Sequence, residues 1–275
     1  MERTAEPGAA GPSGPVDIAV CTYRRESVAD TLRSIAAQVG VPQGVRVIVV
    51  DNDDTACAEL RIRQAARDHN LTLAYRHAPA RNISLARNAA LDSVASAWFA
   101  FLDDDEIASP GWLNGMLVAA ASERYDAVLG PVQGIYGPDA ASWLKEGDFH
   151  STRPVIRRGD IHTGYSGNVL IRREFLKTTG LRFDPELGRC GGEDVDFFYR
   201  FRDAGGRIGF APEAFVDEPV PAHRARLDWL VARNFRAGQT HGARLARSVK
   251  SPVDWLGCAV PATAKAAFGG LGALA

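Results

Sequence analysis

An α/β fold, with a mostly parallel sheet flanked by helices and a C-terminal helical appendage, is what this sequence predicts. Three observations carry the prediction. Short, nearly continuous apolar runs rich in valine and isoleucine recur at Val16–Val20, Val45–Val50, Leu71–Tyr75 and Trp98–Leu102, as expected of strands buried on both faces. Stretches with helical spacing separate them, which calls for crossover connections and therefore parallel pairing. Each of the runs ending at Val20, Val50 and Leu102 is followed by polar residues, at the strand ends where such sheets bind ligands.

The elements follow in order. Val28, Leu32 and Ile35 share one face of a first helix, Leu60 with Gln64 and Ala65 mark a second, and Leu85, Ala89 and Val94 a third. Beyond Leu102 the pattern loosens. Strands are expected at Ala127–Val132, Asn168–Ile171 and Ile208–Ala211, with a mobile loop from Tyr136 to Asp160. Gly191 and Gly192 open a helix with apolar positions at Val195, Phe198 and Phe201. From His223 to Lys250 six arginines and one lysine stand against one acid, Asp228, so this segment carries +6 and reads as a basic helical extension.

The 275 residues are 46% hydrophobic and 24% charged, enough apolar material for a real core. Lys+Arg 32 against Asp+Glu 33 leaves a net charge of -1, which argues against coating nucleic acid. Cys21, Cys57, Cys190 and Cys258 form no C-x-x-C pair and no Cys/His cluster. Neither a zinc knuckle nor a disulfide framework is indicated, and a reducing, cytoplasmic setting is expected. Residues 1–15 lack the apolar core of a secretory signal and read as a flexible tail. Nowhere do 18 apolar residues run together, so any membrane contact is expected to be peripheral.

Glycine patterns of dinucleotide-binding and P-loop proteins are absent, as is H-E-x-x-H, and Gly164-Tyr165-Ser166-Gly167 misses the G-x-S-x-G elbow by one residue. Chemistry concentrates instead at Cys21–Arg24, Asp51–Asp54 and Asp103–Glu106, clusters that a parallel sheet brings to one rim. The third carries the most information. Asp103, Asp104 and Asp105 sit side by side at a strand end. Such crowding raises each pKa, and a hard divalent ion such as Mg2+ or Mn2+ relieves it while leaving positions for phosphate oxygens. A solvated acidic turn before Pro110 is the plain alternative.

Five motifs in order, Val20–Arg24, Val49–Asn52, Ala86–Asn88, Phe101–Asp105 and Gly191–Asp194, resemble those of family 2 glycosyltransferases of the Rossmann-like GT-A fold. Those are inverting enzymes that use nucleotide-sugar donors. The resemblance covers about residues 16–240. Gly192–Phe197 and Arg233-x-x-Arg236-x-Gly238 are similar to bacterial enzymes that elongate exopolysaccharide or related glycans on a lipid-linked acceptor. It implies a catalytic domain over 16–220, its nucleotide-binding half ending near 106 and its acceptor half following, and a basic extension over 221–275.

By the same resemblance Thr22, Tyr23 and Arg24 would face the nucleotide, and Asp51, otherwise a turn residue, would accept a hydrogen bond from the base, best from uracil. Arg87 would contact diphosphate or uracil, and Asp103 would hold the ribose or assist the metal. Asp105 would ligate Mg2+ or Mn2+, with His223 either a further ligand or a solvent-facing loop residue. Asp104 belongs to the same nucleotide-binding cluster, although strand alternation turns it away from its two neighbours. Asp194 would be the general base, oriented by Glu193, a role compatible with capping its helix. Arg233 and Arg236 would close over the diphosphate or meet anionic lipid, and Trp143 and Asp148 would meet acceptor sugar. The implied partners are a nucleotide-sugar donor, a UDP-sugar by preference, and a glycan or lipid-linked acceptor met at the inner face of the plasma membrane. The small apolar tail after Trp255 would assist that contact or pack as a surface helix.

Two rivals are weighed on specific residues. A sugar-1-phosphate nucleotidyltransferase needs a glycine-rich basic loop after its first strand, and Cys21–Arg25 contains no glycine. A nucleotide-sugar-binding scaffold without turnover would lack the base or the metal carboxylate, and both Asp194 and Asp105 are present.

Overall fold

The computed structural model describes residues 14–40, 44–122 and 125–248. Strand and helix alternate through the first half: β1 (Val16–Thr22), α1 (Val28–Ala36), β2 (Val45–Asp51), α2 (Glu59–Asp68), β3 (Thr72–His77), α3 (Ile83–Ser93) and β4 (Trp98–Leu102). Then come β5 (Ile107–Ala108), α4 (Trp112–Ser122), β6 (Ala127–Leu129), β7 (Val132–Tyr136), α5 (Ser142–Gly147), β8 (Ile156–Arg157), β9 (Asp160–Ile161) and β10 (Asn168–Arg172). The rest is α6 (Arg173–Thr179), α7 (Glu193–Asp203), β11 (Ile208–Phe210), β12 (Val216–Val220) and α8 (Leu227–Ser248). The described residues fall in two compact units, one ending at Arg226 and the other beginning at Leu227.

A seven-stranded sheet in the order β11-β6-β10-β4-β1-β2-β3 organises the first unit. Pairings among β4, β1, β2 and β3 are parallel, as is β6 with β11, while β10 runs antiparallel to both β4 and β6. Why the strands read as continuous apolar runs is visible in where alternate residues go. Val16, Ile18 and Val20 enter one apolar layer with Val47, Val49 and Leu102, beneath α1, α2 and α4. Ala19 and Cys21 enter the opposite layer with Ile48, Val50, Phe99 and Phe101, beneath α3 and α7. Helices on both faces leave the sheet little polar surface. A small sheet β5-β12-β7 and the β8–β9 hairpin complete the unit.

Four expectations are corrected. α2 buries Ile62, Ala65 and Ala66, leaving Leu60 77% exposed and Gln64 outside. α3 buries Ala86, Ala89 and Ala90 while Leu85 is exposed, because small residues let this helix approach the sheet closely. Ala127–Val132 is two strands in different sheets, broken at Gly130 and Pro131, since proline donates no ladder hydrogen bond. The segment from Tyr136 to Asp160, expected as a loop, contains α5 and most of the β8–β9 hairpin. Among the described residues no helix is long and apolar enough to cross a membrane; residues 1–13 and the tail after Trp255 lie outside them.

Candidate active site

Carboxyl ends of β1, β2 and β4 meet at one rim, and hydrogen bonds between residues far apart in sequence tie them together. Asn52 N–H bonds the Thr22 carbonyl at 2.9 Å. Arg24, at φ +56°, places Nε 2.9 and 3.0 Å from the two oxygens of Asp53. Asp51 is fully buried: one oxygen accepts from the Tyr75 hydroxyl at 3.0 Å and the other from Asp53 N–H at 3.1 Å. Charge on this side is matched. The Arg24 guanidinium holds the Asp53 carboxyl down at about 2. Arg24 is engaged by Asp53, Asp51 props the Asn52–Asp54 turn from inside, and the Thr22 hydroxyl donates to Asp104 Oδ2 at 2.7 Å. Tyr23 remains exposed, with the Arg24 guanidinium over its ring at 5.2 Å.

The other side of the rim holds more negative charge than its partners neutralise. The β4 strand ends at Leu102, so Asp103–Glu106 form a turn and strand alternation does not extend into them. Asp104 and Asp105 consequently share one partner: Arg25 lies 3.2 Å from Asp104 Oδ1 and 2.7 Å from Asp105 Oδ2. Asp104 is buried and does not turn away from Asp105. Asp103 is the open member, its side chain 41% exposed, while Glu106 lies buried beneath it and accepts Asp103 N–H at 3.0 Å. Burial pushes Asp104 up to about 7, raises Asp105 against the pull of Arg25, and raises Glu106 well above the usual carboxylate range with Asp103 beside it.

Gly167 packs against this turn, and a Cβ there would lie 2.6 Å from Glu106 Oε1 and 3.1 Å from Asp103 Oδ2. An all-oxygen donor set whose ionisation is held back suits a hard divalent cation. Among the described residues no group of three or more His, Cys, Asp or Glu side chains is arranged to hold a metal ion. A cation here would therefore take further ligands from water or a bound phosphate.

α7 brings the third component. Gly191 and Gly192 take φ +87° and +89°, a left-handed turn that suits glycine, and the helix then starts at Glu193. Phe197, Phe198 and Phe201 fasten it to the core, Phe197 stacked on Phe183 at 4.2 Å; the buried face is thus centred on 197–198 and 201, with Val195 only half-buried. At its start Glu193 accepts from buried Arg87 at 2.5 Å, and Arg87 also reaches Asp103 at 3.4 Å. Arg87 is therefore an internal bridge across the rim, its guanidinium also 5.5 Å from the Phe183 ring. Beside it Asp194 is half-buried and accepts Val195 N–H at 2.7 Å. Burial, with the Glu193 charge, pushes Asp194 up to about 6 against the pull of Arg87.

The remaining residues singled out in the sequence have these surroundings. His223 is exposed in the turn following β12. Trp143, on α5, is exposed with its ring 5.7 Å from Phe149, and Asp148 ends that helix at φ +46°. Arg233 and Arg236 belong to α8, in the second unit. Three residues assigned no role from sequence lie among these carboxylates: Arg25, Glu106 and Arg224, the last 3.9 Å from Asp105 and 3.1 Å from Glu218. Glu106 belonged to a flagged polar cluster and Arg224 to the basic segment, whereas Arg25 had only its adjacency to Cys21–Arg24.

Residues 17–180 match the family described as glycosyl transferase family 2. The chain is 50% identical over 233 residues to the succinoglycan biosynthesis protein ExoM of Rhizobium meliloti, covering 84% of this chain and 75% of that one. It is 28% identical over 242 residues to the glucosyl-dolichyl phosphate glucuronosyltransferase of Haloferax volcanii, covering 81% and 75%. Among solved structures, S. aureus TarS 1-349 in complex with UDP-GlcNAc superposes with a TM-score of 0.61 at 21% identity, over 76% of this chain and 59% of that one. The chain thus spans less than two thirds of that structure, and the likeness concerns the fold.

Proposed function

The chain belongs to glycosyl transferase family 2 and is a GT-A glycosyltransferase, and we propose that it transfers a sugar, with inversion, from a UDP-sugar to a hydroxyl of a growing glycan. The single observation carrying this reading is Asp194, a half-buried carboxyl at the start of α7, next to the Arg87–Glu193 bridge that leads to Asp103. Asp194 takes the proton of the acceptor hydroxyl as its oxygen bonds to the anomeric carbon. The bond from that carbon to the diphosphate oxygen breaks on the opposite side, and the electron pair leaves with the diphosphate. A pKa near 6 suits a base working near neutrality. Glu193 orients the site by holding Arg87.

Asp105 and Asp103 are the residues that would hold Mg2+ or Mn2+, which would supply positive charge to the leaving diphosphate. Tyr23 borders the base subsite, with the Asn52–Asp54 turn braced by Asp51 behind it. The catalytic domain is taken as 16–220 and the extension as 221–275. The succinoglycan biosynthesis named for the Rhizobium meliloti relative supports a glycan acceptor. A lipid-linked acceptor, met at a membrane surface, fits α8, where Leu227, Val231 and Phe235 are exposed in a segment rich in arginine.

A thermal-shift series with UDP, GDP, TDP and ADP, each with and without Mn2+, tests the reading. A ligand at 100 times its dissociation constant stabilises by about 2.7 kcal/mol. A Mn2+-dependent shift with UDP is expected. Folded protein that responds to no nucleotide would overturn the transferase mechanism and the nucleotide-sugar-binding scaffold alike.

A further inference from the structure

Two arginines approach Asp105 from distant parts of the chain. Arg25, in the loop after β1, lies 2.7 Å from Asp105 Oδ2. Arg224, in the turn after β12, lies 3.9 Å from the same oxygen and 3.1 Å from Glu218 Oε1. Both side chains keep solvent-facing surface, 38% and 24%. The Arg224 turn is anchored: its carbonyl accepts from Nε2 of buried His150 at 3.0 Å, and His150 Nδ1 faces the Tyr136 hydroxyl at 2.8 Å. Neutral His150 with its proton on Nε2 and Tyr136 donating to Nδ1 satisfies both contacts.

Planar guanidinium forks converging on one partly open carboxylate, beside further carboxylates, are suited to the paired oxygens of a diphosphate. We propose that Arg25 and Arg224 are ligands of the donor diphosphate, held ready on Asp105 and Glu218 and passing to phosphate oxygens when the donor binds. Tyr136 and His150 act as positioning residues for Arg224. The inference rests on the transferase reading above. The Asp105 oxygen released in this exchange would be available to hold a divalent cation.

Calorimetric titration of the full chain with UDP and with UMP, both in Mn2+, isolates the contribution of the second phosphate. In the unaltered protein UDP is expected to bind more tightly than UMP. Arg224→Gln and Arg25→Gln should each weaken UDP by about tenfold or more while UMP falls less. Arg224→Lys should retain part of the difference, and Tyr136→Phe should show a smaller loss in the same direction. An unchanged UDP-to-UMP ratio in both glutamine variants, or equal losses of both nucleotides, would overturn the proposal and leave the arginines as structural partners of Asp105. If the unaltered chain binds neither nucleotide, the transferase reading itself fails and this inference with it.

Discussion

The two sides of the rim solve opposite electrostatic problems. On the side formed by β1 and β2, Arg24 neutralises Asp53 and Tyr75 caps Asp51, and the Asp53 carboxyl is held down at about 2. Around β4 and α7 the carboxyls of Asp104, Asp105, Glu106 and Asp194 are all pushed up, although Arg25, Arg87 and Arg224 stand among them. Charge matched within the protein builds shape. Charge left in excess is costly unless a cation or a proton transfer relieves it, and that side of the rim is where chemistry is expected.

Breaking the excess-charge side should have the largest effects. Asp194→Asn keeps the size of the side chain and removes the base, so turnover should fall about 10² to 10⁴-fold with UDP affinity retained; kinetics alongside calorimetry decides. Glu193→Ala leaves the Arg87 guanidinium buried without its nearest partner, both side chains being under 10% exposed. The expected loss is about 3 to 5 kcal/mol of stability in urea unfolding. Gly167→Ala should push the Asp103–Glu106 turn out of place and lower turnover by about tenfold to a hundredfold.

Titration sharpens the contrast. Because the Asp194 pKa is raised to about 6 and the base must be ionised, turnover should be lost as pH falls through that value, by about tenfold between pH 7 and pH 5. A profile flat over that range would remove Asp194 as the base. The matched side should respond least: Arg24→Gln should leave turnover within about twofold, since the guanidinium is largely exposed. Its effect on melting temperature should carry the opposite pH signature. The Asp53 pKa is depressed, so the stabilisation is present above about pH 4 and disappears as pH falls toward 2.

Much of the fold could be read from pattern because burial on both sheet faces leaves a periodic trace. The apolar runs located β1, β2 and β4 to within a residue or two, and Val28, Leu32 and Ile35 are all buried in α1. α3 was harder, because alanines carry the packing and the larger Leu85 points outward. α5 and the β8–β9 hairpin were missed because they are short and bury few apolar side chains. The candidate site divides similarly: motif order pointed to Asp103, Asp105 and Asp194, whereas the proposed Arg25 and Arg224 carry no pattern of their own.

By itself, then, the sequence determined an alternating α/β chain, its polar strand ends, its glycine-opened helix and its basic final segment, since each follows from local periodicity or composition. Tertiary structure alone decided which charges meet. Thr22 finds Asp104, 82 residues on, and Arg87 finds Glu193, 106 residues on. The placement of β4 beside β1, with α3 and α7 packed beneath one face, makes those encounters. Desolvation at the places where they meet then sets whether each carboxyl holds its proton, a property of the surroundings that no residue carries alone.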